Sequence, residues 1–393
     1  MPFHFITSGE SHGPVLTAVV SGLPAGLAID AGLVNEELAR RQQGYGRGAR
    51  MKIEKDEAQI LSGLRFGKTL GSPITLQIKN RDWEHWQTAM NASTEPVDVA
   101  SRKSVARPRP GHADLAGALK YNTKDARDIL ERASARETAA RVAAGALAKQ
   151  FLKEFGIEIV SHTVAVGGVV LPEAREVTFE EAQTLRSKPD SRLRCVDEAT
   201  EARMVETVHK AATEGNTVGG CFEIIAHGVV AGLGSHTSWD ARLDGLLARA
   251  LASIQAVKAV EIGTGMQNAM RWGSEVHDEI AYSRTDRAFI HDSNRAGGIE
   301  GGISNGEEIR LRGYLKPIST LKKPLRSVNM ETKEVSEAAF ERSDVCVVPA
   351  AGVIGEAMVA LVLAQCFLEK FGGDSMVETG RNYRGYCEQL KNF

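Results

Sequence analysis

Runs of apolar residues and their spacing predict a mixture of strands and helices along the chain. Apolar residues at 3–6 and 16–20 flank the polar segment Ser8–Pro14, which predicts a strand, a functional turn and a second strand. Residues 30–42 have the spacing of an amphipathic helix, and residues 57–80 predict strands with a turn at 71–73. Residues 81–104 are polar without periodicity, and we interpret them as an insertion or loop.

The segment 107–155 predicts a cationic loop that leads into a long helix. Ser134 and Glu137 have the Ser-x-x-Glu spacing of a capping box, which predicts a helix start. Gly156 ends the helix, and apolar residues recur on one face, at Ala143, Leu147, Phe151 and Phe155. Free N–H donors, a positive dipole end and nearby guanidinium groups favour an anion at such a helix start. The alternative is a capped surface helix with ordinary arginines.

The second half repeats strands and helices but contains a long segment without periodicity. Strands are predicted at 157–166, 216–225 and 228–234, a charged helical region lies between the first two, and a helix covers 243–256. Residues 263–308 are rich in Gly, Asn and Asp, which is typical of active-site loops or lids. A strand carries Arg310, Arg312 and Tyr314, and a charged turn at 341–344 leads into a buried strand and a final apolar helix.

The end of that apolar helix echoes the end of the helix in the first half. Residues 365–372 (QCFLEKFG) resemble residues 149–156 (KQFLKEFG). We infer an internal duplication, with two related helices packed at the centre and sheets outside them. A chance match is the alternative, because apolar helices reuse few residue types.

Composition excludes several classes of protein. The 393 residues carry 48 Lys+Arg and 50 Asp+Glu, so no strong overall charge points to nucleic acid or a membrane. Five scattered cysteines without a CxxC pair support neither a zinc site nor a disulfide framework, and favour a reducing, cytoplasmic setting. The N-terminus lacks the pattern of a signal peptide. The 14-residue apolar run 353–366 is too short to span a bilayer and predicts a buried core helix.

A basic, glycine-rich loop at 40–52 has three interpretations. It carries five basic residues, no acid and three glycines that allow a ligand close to the backbone. The first interpretation is an RGG-like segment that binds nucleic acid. The second is a loop that folds over a polyanionic small molecule, and the third is a disordered basic loop. The balanced overall charge and the single aromatic residue, Tyr45, count against nucleic acid.

Two loop histidines and several separated basic clusters predict an enzyme that acts on anionic small molecules. His12 and His112 are placed for proton transfer, and the clusters are Arg41 with Arg47, Arg107 with Arg109, Arg132 with Arg136, and Lys316. Neither GxGxxG in a βαβ frame, a Walker lysine, GxSxG nor metal-ligand spacing is present. A turn histidine such as His12, taken alone, is more often an ordinary surface residue.

Six motifs in this chain resemble those of the chorismate synthase family. They are GESHGP at 9–14, RQQGYGRG at 41–48, RPRPGHAD at 107–114, ERASARET at 131–138, GGISNG at 301–306 and RSD at 342–344. They occur in the family's order over nearly the whole chain. The departures are small: Ala133 stands where a serine is common, and Gln255 where some members have asparagine.

The resemblance implies an α+β fold, a helical core sandwiched between antiparallel β-sheets, in a single domain over residues 1–393 that forms a homotetramer. It implies conversion of 5-enolpyruvylshikimate 3-phosphate to chorismate and phosphate, with reduced FMN as an obligatory cofactor. No metal, nucleic acid or membrane is implied. The alternatives are a flavin-dependent oxidoreductase acting on an anionic small molecule and an RNA-binding protein.

The resemblance also implies roles for individual residues. We expect His12 to donate toward the phosphate, His112 to interact with the flavin, and Asp344 to manage a further proton. Substrate binding is implied for Ser11, Arg41, Arg47, Arg109 and Arg136. NADPH, as a source of flavin reduction, is implied near Arg41 and Arg47. FMN contacts are implied for Arg132, Ala133, Ser134, Gln255, Ala256, Gly301, Lys316, Pro317, Ile318, Ser319, Thr320 and Arg342.

Overall fold

A sheet of antiparallel strands followed by a long helix makes up the N-terminal half of the chain. The computed structural model describes residues 2–48, 53–172, 175–188, 190–285 and 287–393, so Arg50 and Lys52 of the basic loop lie outside the described residues. The elements are β1 (His4–Ser8), β2 (Val15–Ser21), α1 (Ala31–Gln42), β3 (Ala58–Ile60), β4 (Leu64–Arg65), β5 (Lys68–Thr69), β6 (Ile74–Lys79), α2 (Asp114–Tyr121), α3 (Arg127–Ala133) and α4 (Thr138–Lys153), with 3₁₀ segments at Arg81–His85, Val99–Arg102 and Ala135–Glu137.

The C-terminal half follows the same plan with longer connections. Its elements are β7 (Glu158–Val166), β8 (Val169–Val170), α5 (Phe179–Thr184), α6 (Glu198–Thr213), β9 (Gly220–His227), α7 (Leu243–Ala252), β10 (Val257–Ile262), α8 (Gly265–Asn268), α9 (Gly273–Val276), β11 (Ile280–Ser283), β12 (Ala288–His291), β13 (Ile299–Glu300), β14 (Ile303–Ser304), β15 (Ile309–Leu315), β16 (Arg326–Val328), β17 (Val335–Glu337), α10 (Val348–Phe371) and α11 (Met376–Lys391). Short 3₁₀ segments lie at Leu185–Ser187 and Trp239–Ala241.

The two halves have the same strand order, which confirms the predicted pseudo-duplication. The first sheet has the order β1-β2-β6-β3, and the second has β10-β15-β9-β7-β8. Taking β7, β9, β15 and β10 as the counterparts of β1, β2, β6 and β3 makes the orders identical, apart from the extra edge strand β8. The pairs are antiparallel in both sheets. Each half then enters one long helix, α4 or α10.

The two long helices pack against each other between the sheets. Helix α4 packs on β2 and β6, whereas α10 packs on β7 and β9. Gly145 lies directly against α10, because a Cβ atom there would come within 2.4 Å of the Ala357 Cβ. Further along both helices, Phe151 and Phe367 meet edge to face with ring centroids 5.6 Å apart. The helices therefore run parallel, and their N-termini lie at the same end of the molecule.

Helix α10 is longer than its apolar run suggested, but it has the predicted place in the core. With 24 residues it is long and apolar enough to cross a membrane, yet 83% of its most apolar window is buried inside the protein. This is what a core helix shows. One hydrophobic cluster includes residues of both sheets and both long helices. Such a shared core is what a single domain requires, and the one-domain organisation stays a prediction.

Three predicted elements are wrong. The helix predicted over 243–256 stops at Ala252, and residues 257–262 form β10, because they pair with β15 across the sheet. Residues 228–234 form turns with a single bridge at Gly234, and no strand. The buried strand expected before α10 is absent, since the helix begins at Val348, directly after the turn.

The predicted capping box is also wrong in detail. The Ser134 hydroxyl accepts a hydrogen bond from the Arg136 N–H and caps a 3₁₀ turn, and α4 begins only at Thr138. The Glu137 side chain instead binds Arg141 at 2.7 Å and Gln255 at 2.7 Å. Residues 263–308, predicted as loops, include two short helices and two small hairpins.

Candidate active site

A cavity of about 540 Å³ lies where the two halves meet. Its walls come from the connections that follow β6 and β15, and its base from the N-terminal ends of α4 and α10. Two positive helix ends therefore face one cavity, an arrangement that favours an anionic ligand. The turn between β1 and β2 and the end of α1 complete the walls.

Most of the residues predicted for the site line this one cavity. They are Ser11, His12, Arg41, Arg47, Arg109, His112, Ala133, Ser134, Arg136, Gln255, Ala256, Lys316, Ile318, Ser319, Thr320, Arg342 and Asp344. Three predicted cofactor residues, Arg132, Gly301 and Pro317, are not among the lining residues. Arg132 lies outside and donates to the carbonyls of Thr7 and Gly9, at 2.8 and 3.0 Å. The Gly301 carbonyl accepts from Arg242.

His12 is held on three sides. Its Nδ1 lies 2.9 and 3.0 Å from the two carboxylate oxygens of Glu131, and its backbone N–H donates to the same carboxylate at 2.8 Å. The ring stacks on Trp86 with a centroid distance of 3.9 Å, and Nε2 lies 3.9 Å from Asp82. Burial acts to raise the pKa of Glu131, but its bonds to His12 outweigh burial and lower that pKa. A carboxylate only accepts, so Nδ1 carries the hydrogen.

His112 is fixed by a second carboxylate. Its Nδ1 is hydrogen-bonded to Asp114, and the same carboxylate accepts from the Arg109 backbone N–H, Nε and Nη2 at 3.0, 2.8 and 3.0 Å. Burial acts to raise the pKa of Asp114, but His112 and Arg109 lower it. Arg109 also donates to Thr320 at 3.0 Å. Its guanidinium is thus mainly bound within the protein, whereas the resemblance implies that it binds the substrate.

Two buried arginines share one carboxylate in the wall. Arg41 Nη2 donates to Asp56 at 2.8 Å, and Arg136 Nη1 donates to the other oxygen of Asp56 at 2.6 Å. Burial and the neighbouring charge of Arg136 lower the pKa of Arg41, although Asp56 opposes them. Arg41 Nε and Arg136 Nη2 are buried without a hydrogen-bond acceptor among the described residues. The pair therefore has more donors than the protein around it uses, although the carboxylate of Glu54 also lies 3.8 Å from Arg136 Nη2.

Asp344 lies between a backbone N–H donor and a guanidinium group at the cavity wall. Its Oδ1 accepts from the Gly48 N–H at 2.6 Å, and its Oδ2 lies 3.3 Å from Arg47 Nε. Gly48 and Arg47 belong to the basic loop, so this carboxylate ties the described part of that loop to the turn before α10. The carboxylate and the basic loop thus reach the cavity together.

The opposite side of the cavity offers a lysine and an apolar floor. Lys316 donates to the Gly111 carbonyl at 2.7 Å, and burial, with the charge of Lys258, lowers its pKa. Gln255 Oε1 is buried without a donor among the described residues, and Ala256 beside it has φ +71°. The floor consists of Leu130, Ile254, Leu315, Val347, Ala350, Ala351 and Ile354. An apolar floor with an unused acceptor and unused cationic donors fits a planar, anionic cofactor such as FMN.

Sequence reasoning missed four carboxylates and an aromatic ring. Asp56, Asp82, Asp114 and Glu131 hold the arginines and histidines, and Trp86 stacks on His12. Asp114 and Glu131 both lie within the motifs that carry the family resemblance. For Asp114, its position two residues after His112 is a local sequence signal that the two side chains interact. Asp82 and Trp86 lie within 81–104, which we interpret from the sequence as an insertion or loop. Because this segment has no periodicity, no sequence pattern indicates that these two residues face the site.

Comparisons with known proteins agree with one another. A family model described as chorismate synthase matches residues 3–368. A relative named chorismate synthase from Solibacter usitatus is 58% identical over 389 residues, 99% of both chains. One of the same name from Geobacter sulfurreducens is 56% identical over 395 residues, again 99% of both. A solved structure titled as the crystal structure of chorismate synthase has a TM-score of 0.80 and 42% identity, covering 100% of this chain and 99% of that one.

Proposed function

This chain belongs to the chorismate synthase family, and from that premise we propose that it converts 5-enolpyruvylshikimate 3-phosphate to chorismate and phosphate with reduced FMN. As a member of this family it is an enzyme, a carbon–oxygen lyase acting on phosphates. The observation that carries the proposal is that one cavity brings His12, His112 and Asp344 together with Arg41, Arg47 and Arg136 from distant parts of the chain.

The reaction is an anti 1,4-elimination that breaks a C–O bond to phosphate and an unactivated C–H bond. When bound, reduced FMN supplies electron density and accepts the hydrogen. The protein must hold the substrate, neutralise the departing phosphate and exclude water. The shared pair Arg41 and Arg136 suits the substrate anions, because its donors exceed its acceptors.

His12 is the residue we assign to the leaving phosphate. With Nδ1–H bound to Glu131, the nitrogen left for proton exchange with a ligand is Nε2. His112 is bound through Nδ1 to Asp114, so Nε2 is again the nitrogen that would contact the flavin. Asp344, between the Gly48 N–H and Arg47, would accept and release the remaining proton. Each role rests on the resemblance together with this geometry.

The remaining cofactor and partner assignments are also proposals. The residues that would hold FMN within the cavity are Ala133, Ser134, Gln255, Ala256, Lys316, Ile318, Ser319, Thr320 and Arg342. NADPH near Arg41 and Arg47, the homotetramer and the cytoplasmic setting stay predictions. The five cysteines, all free in this structure, support a reducing compartment.

Anaerobic phosphate release tests the proposal directly. With 5-enolpyruvylshikimate 3-phosphate and photoreduced FMN, we expect phosphate and chorismate without net oxidation of the flavin. Release with oxidised FMN plus NADPH as well would show intrinsic flavin reduction. Folded, flavin-binding protein that releases no phosphate under either condition would refute the proposal. Net NADPH oxidation coupled to product would favour the oxidoreductase, and salt-sensitive RNA binding the RNA-binding protein.

Two substitutions test the acid and base assignments. His12→Ala and His112→Ala should each lower turnover by about 100-fold or more with reduced flavin supplied, because removing a general acid or base costs that much. His236→Ala, outside the cavity lining, is the matched control and should retain parent turnover. Turnover within about threefold of the parent in either cavity variant would contradict the assigned role.

A further inference from the structure

We propose that Glu131 is the positioning residue for His12, holding Nδ1 protonated so that Nε2 is the nitrogen presented to the cavity. The inference deepens the proposed function and rests on it for the identity of the ligand. It uses contacts that the resemblance did not assign to any role.

The first support is that Glu131 binds both the backbone and the ring of one residue. The backbone N–H of His12 donates to Oε2 at 2.8 Å, while Nδ1 lies 2.9 Å from Oε1 and 3.0 Å from Oε2. Two anchor points on a single carboxylate fix both the position of the residue and the rotation of its ring. Glu131 is itself 2% exposed, so water does not compete effectively for these donors.

The second support is that the carboxylate is itself held in place. Arg127 Nη1 donates to Glu131 Oε1 at 3.1 Å, and its Nη2 donates to Glu341 at 2.8 Å. The Ser11 N–H donates to the Glu131 carbonyl at 2.9 Å. The turn with His12 is therefore joined to α3 through both the backbone and the side chain of Glu131.

The third support concerns the plane of the ring and its other nitrogen. Trp86 stacks on the imidazole, and the Trp86 indole N–H donates to Asp82 at 3.3 Å. Asp82 also accepts from Arg342 at 3.2 Å, and it lies 3.9 Å from His12 Nε2. That distance is too long for a hydrogen bond. Only Glu131 therefore bonds the ring within the described residues, and Nε2 keeps its capacity for a ligand.

This arrangement suits proton donation to a phosphate. A neutral imidazole with its hydrogen on Nδ1 accepts a proton at Nε2, and the resulting imidazolium donates from Nε2 while Glu131 balances its charge through Nδ1. A glutamine at 131 has one acceptor oxygen for three donors, namely the His12 backbone N–H, Nδ1–H and Arg127. It also carries no negative charge to stabilise the imidazolium.

The first measurement needs no variant. In protein labelled with ¹⁵N-histidine, nitrogen spectra of microcrystals should show the His12 ring protonated at Nδ1 and hydrogen-bonded there, with His12→Gln providing the assignment among ten histidines. A His12 ring protonated only at Nε2 would overturn the proposal. This readout is independent of turnover, so it stands or falls apart from the proposed function.

Kinetics of Glu131→Gln and Glu131→Asp give the second measurement. We expect Gln to lower kcat by about 10- to 100-fold, the range seen when carboxylates that orient metal-bound histidines are removed, while KM for the substrate stays within threefold. Asp keeps the charge and should recover part of kcat. Glu308→Gln, in the His227–Glu308 pair outside the cavity (3.1 Å), is the matched control.

A folded Glu131→Gln variant with parent kcat and an unchanged Nδ1 signal would refute the proposal. If Glu131→Gln does not fold, Glu131→Asp decides the test. We expect this variant to have a kcat below that of the parent and to retain the hydrogen on His12 Nδ1. A Glu131→Asp variant that loses this hydrogen and keeps the parent kcat would refute the proposal.

Discussion

Arg40 and Arg41 are neighbours on α1, and both are buried, yet they enter two different clusters of charge. Arg40 Nη1 and Nη2 each donate to Glu356 at 2.8 Å, and Nη1 donates to Glu37 as well. Burial acts to lower the pKa of Arg40, but these two carboxylates outweigh it and raise that pKa. For Arg41, burial and Arg136 prevail over Asp56, and its pKa is lowered.

The difference separates a structural arginine from one that awaits a ligand. Arg40 faces two carboxylates, Glu37 and Glu356, which also bind Lys149 and Arg186. Arg41 faces Asp56, which it shares with Arg136, and Glu54 lies 3.8 Å from the Nη2 of Arg136. An anion bound in the cavity would add negative charge beside Arg41, whose pKa stays lowered despite Asp56. Two arginines adjacent in sequence and equally buried thus differ in how many carboxylates they face, and that number indicates which one serves function.

The largest expected effect is on the structural cluster. Glu356→Gln removes the carboxylate that accepts from Arg40, Lys149 and the Ser161 hydroxyl. Breaking a buried charge pair leaves uncompensated cations, so we expect the free energy of unfolding to fall by roughly 3–5 kcal/mol. Urea unfolding measures it.

Glu369→Gln is the matched control for that change. Glu369 lies at the exposed end of the same helix, and among the described residues its side chain accepts only from Gln365, at 2.8 Å. The free energy of unfolding should change by less than about 0.5 kcal/mol. Equal losses in the two variants would show that Glu356 has no special structural role.

The clusters also show what the sequence can and cannot predict. Periodicity predicted the strands β1 and β2, helix α1 and the two long helices. Repeated residues revealed the similarity between the helix ends at 149–156 and 365–372. The sandwich was predicted from that similarity and from the family resemblance. Strand β10 was missed because six residues shortly after a helix hold too little periodicity to separate strand from helix.

The site was predicted as a set of residues but not as a set of contacts. Histidines and arginines in glycine-rich motifs gave local signals. Their partners lie far away in sequence: Asp56 is 80 residues from Arg136, and Glu131 is 119 residues from His12. No local pattern pairs such positions, so the compensation that distinguishes Arg40 from Arg41 required the folded chain.

The comparison extends to a second compensated carboxylate, on β9. Glu223 accepts from Arg312 at 2.9 Å and contacts His162 at 2.8 Å. Burial acts to raise its pKa, but these partners lower it from 4.5 to about 2. A lowered folded-state pKa gives stability that is present above pH 4.5 and is lost as the pH falls toward 2.

Glu223→Gln should remove that pH dependence. At roughly 1.4 kcal/mol per pKa unit, the shift corresponds to about 3 kcal/mol. The parent should therefore exceed the variant in free energy of unfolding by about that amount at pH 6, and the gap should narrow steadily below pH 4.5. Urea unfolding at a series of pH values measures the gap, and a constant gap would argue against this role for Glu223.

On the cavity side, Arg136→Lys should weaken ligand binding more than it weakens the fold. Lysine keeps the charge but loses the planar fork that reaches Asn80, Asp56 and the cavity. A lost charge-assisted bond of about 1.5–3 kcal/mol predicts a KM for the anionic substrate raised roughly 10- to 100-fold. Steady-state kinetics measure it, with the exposed Arg175→Lys as control; an unchanged KM would place Arg136 among the structural arginines.

The smallest expected effect concerns the helix contact beside the structural cluster. A Cβ added at Gly145 would lie 2.4 Å from the Ala357 Cβ and 2.6 Å from its Cα, so Gly145→Ala must push α4 and α10 apart. Overpacking costs about 1–3 kcal/mol and the gain in helix propensity returns up to about 1, so we expect a net loss of about 1–2 kcal/mol. Gly385→Ala, on the exposed face of α11 with open space around it, should instead stabilise by up to about 1 kcal/mol.

Because Ala357 follows Glu356 directly, separation of the helices would also lengthen the contact between Lys149 and Glu356. In the Glu356→Gln background, the loss from Gly145→Ala should therefore shrink, and a double-mutant cycle in urea measures the coupling. Additive losses would show that the helix contact and the charge cluster are independent.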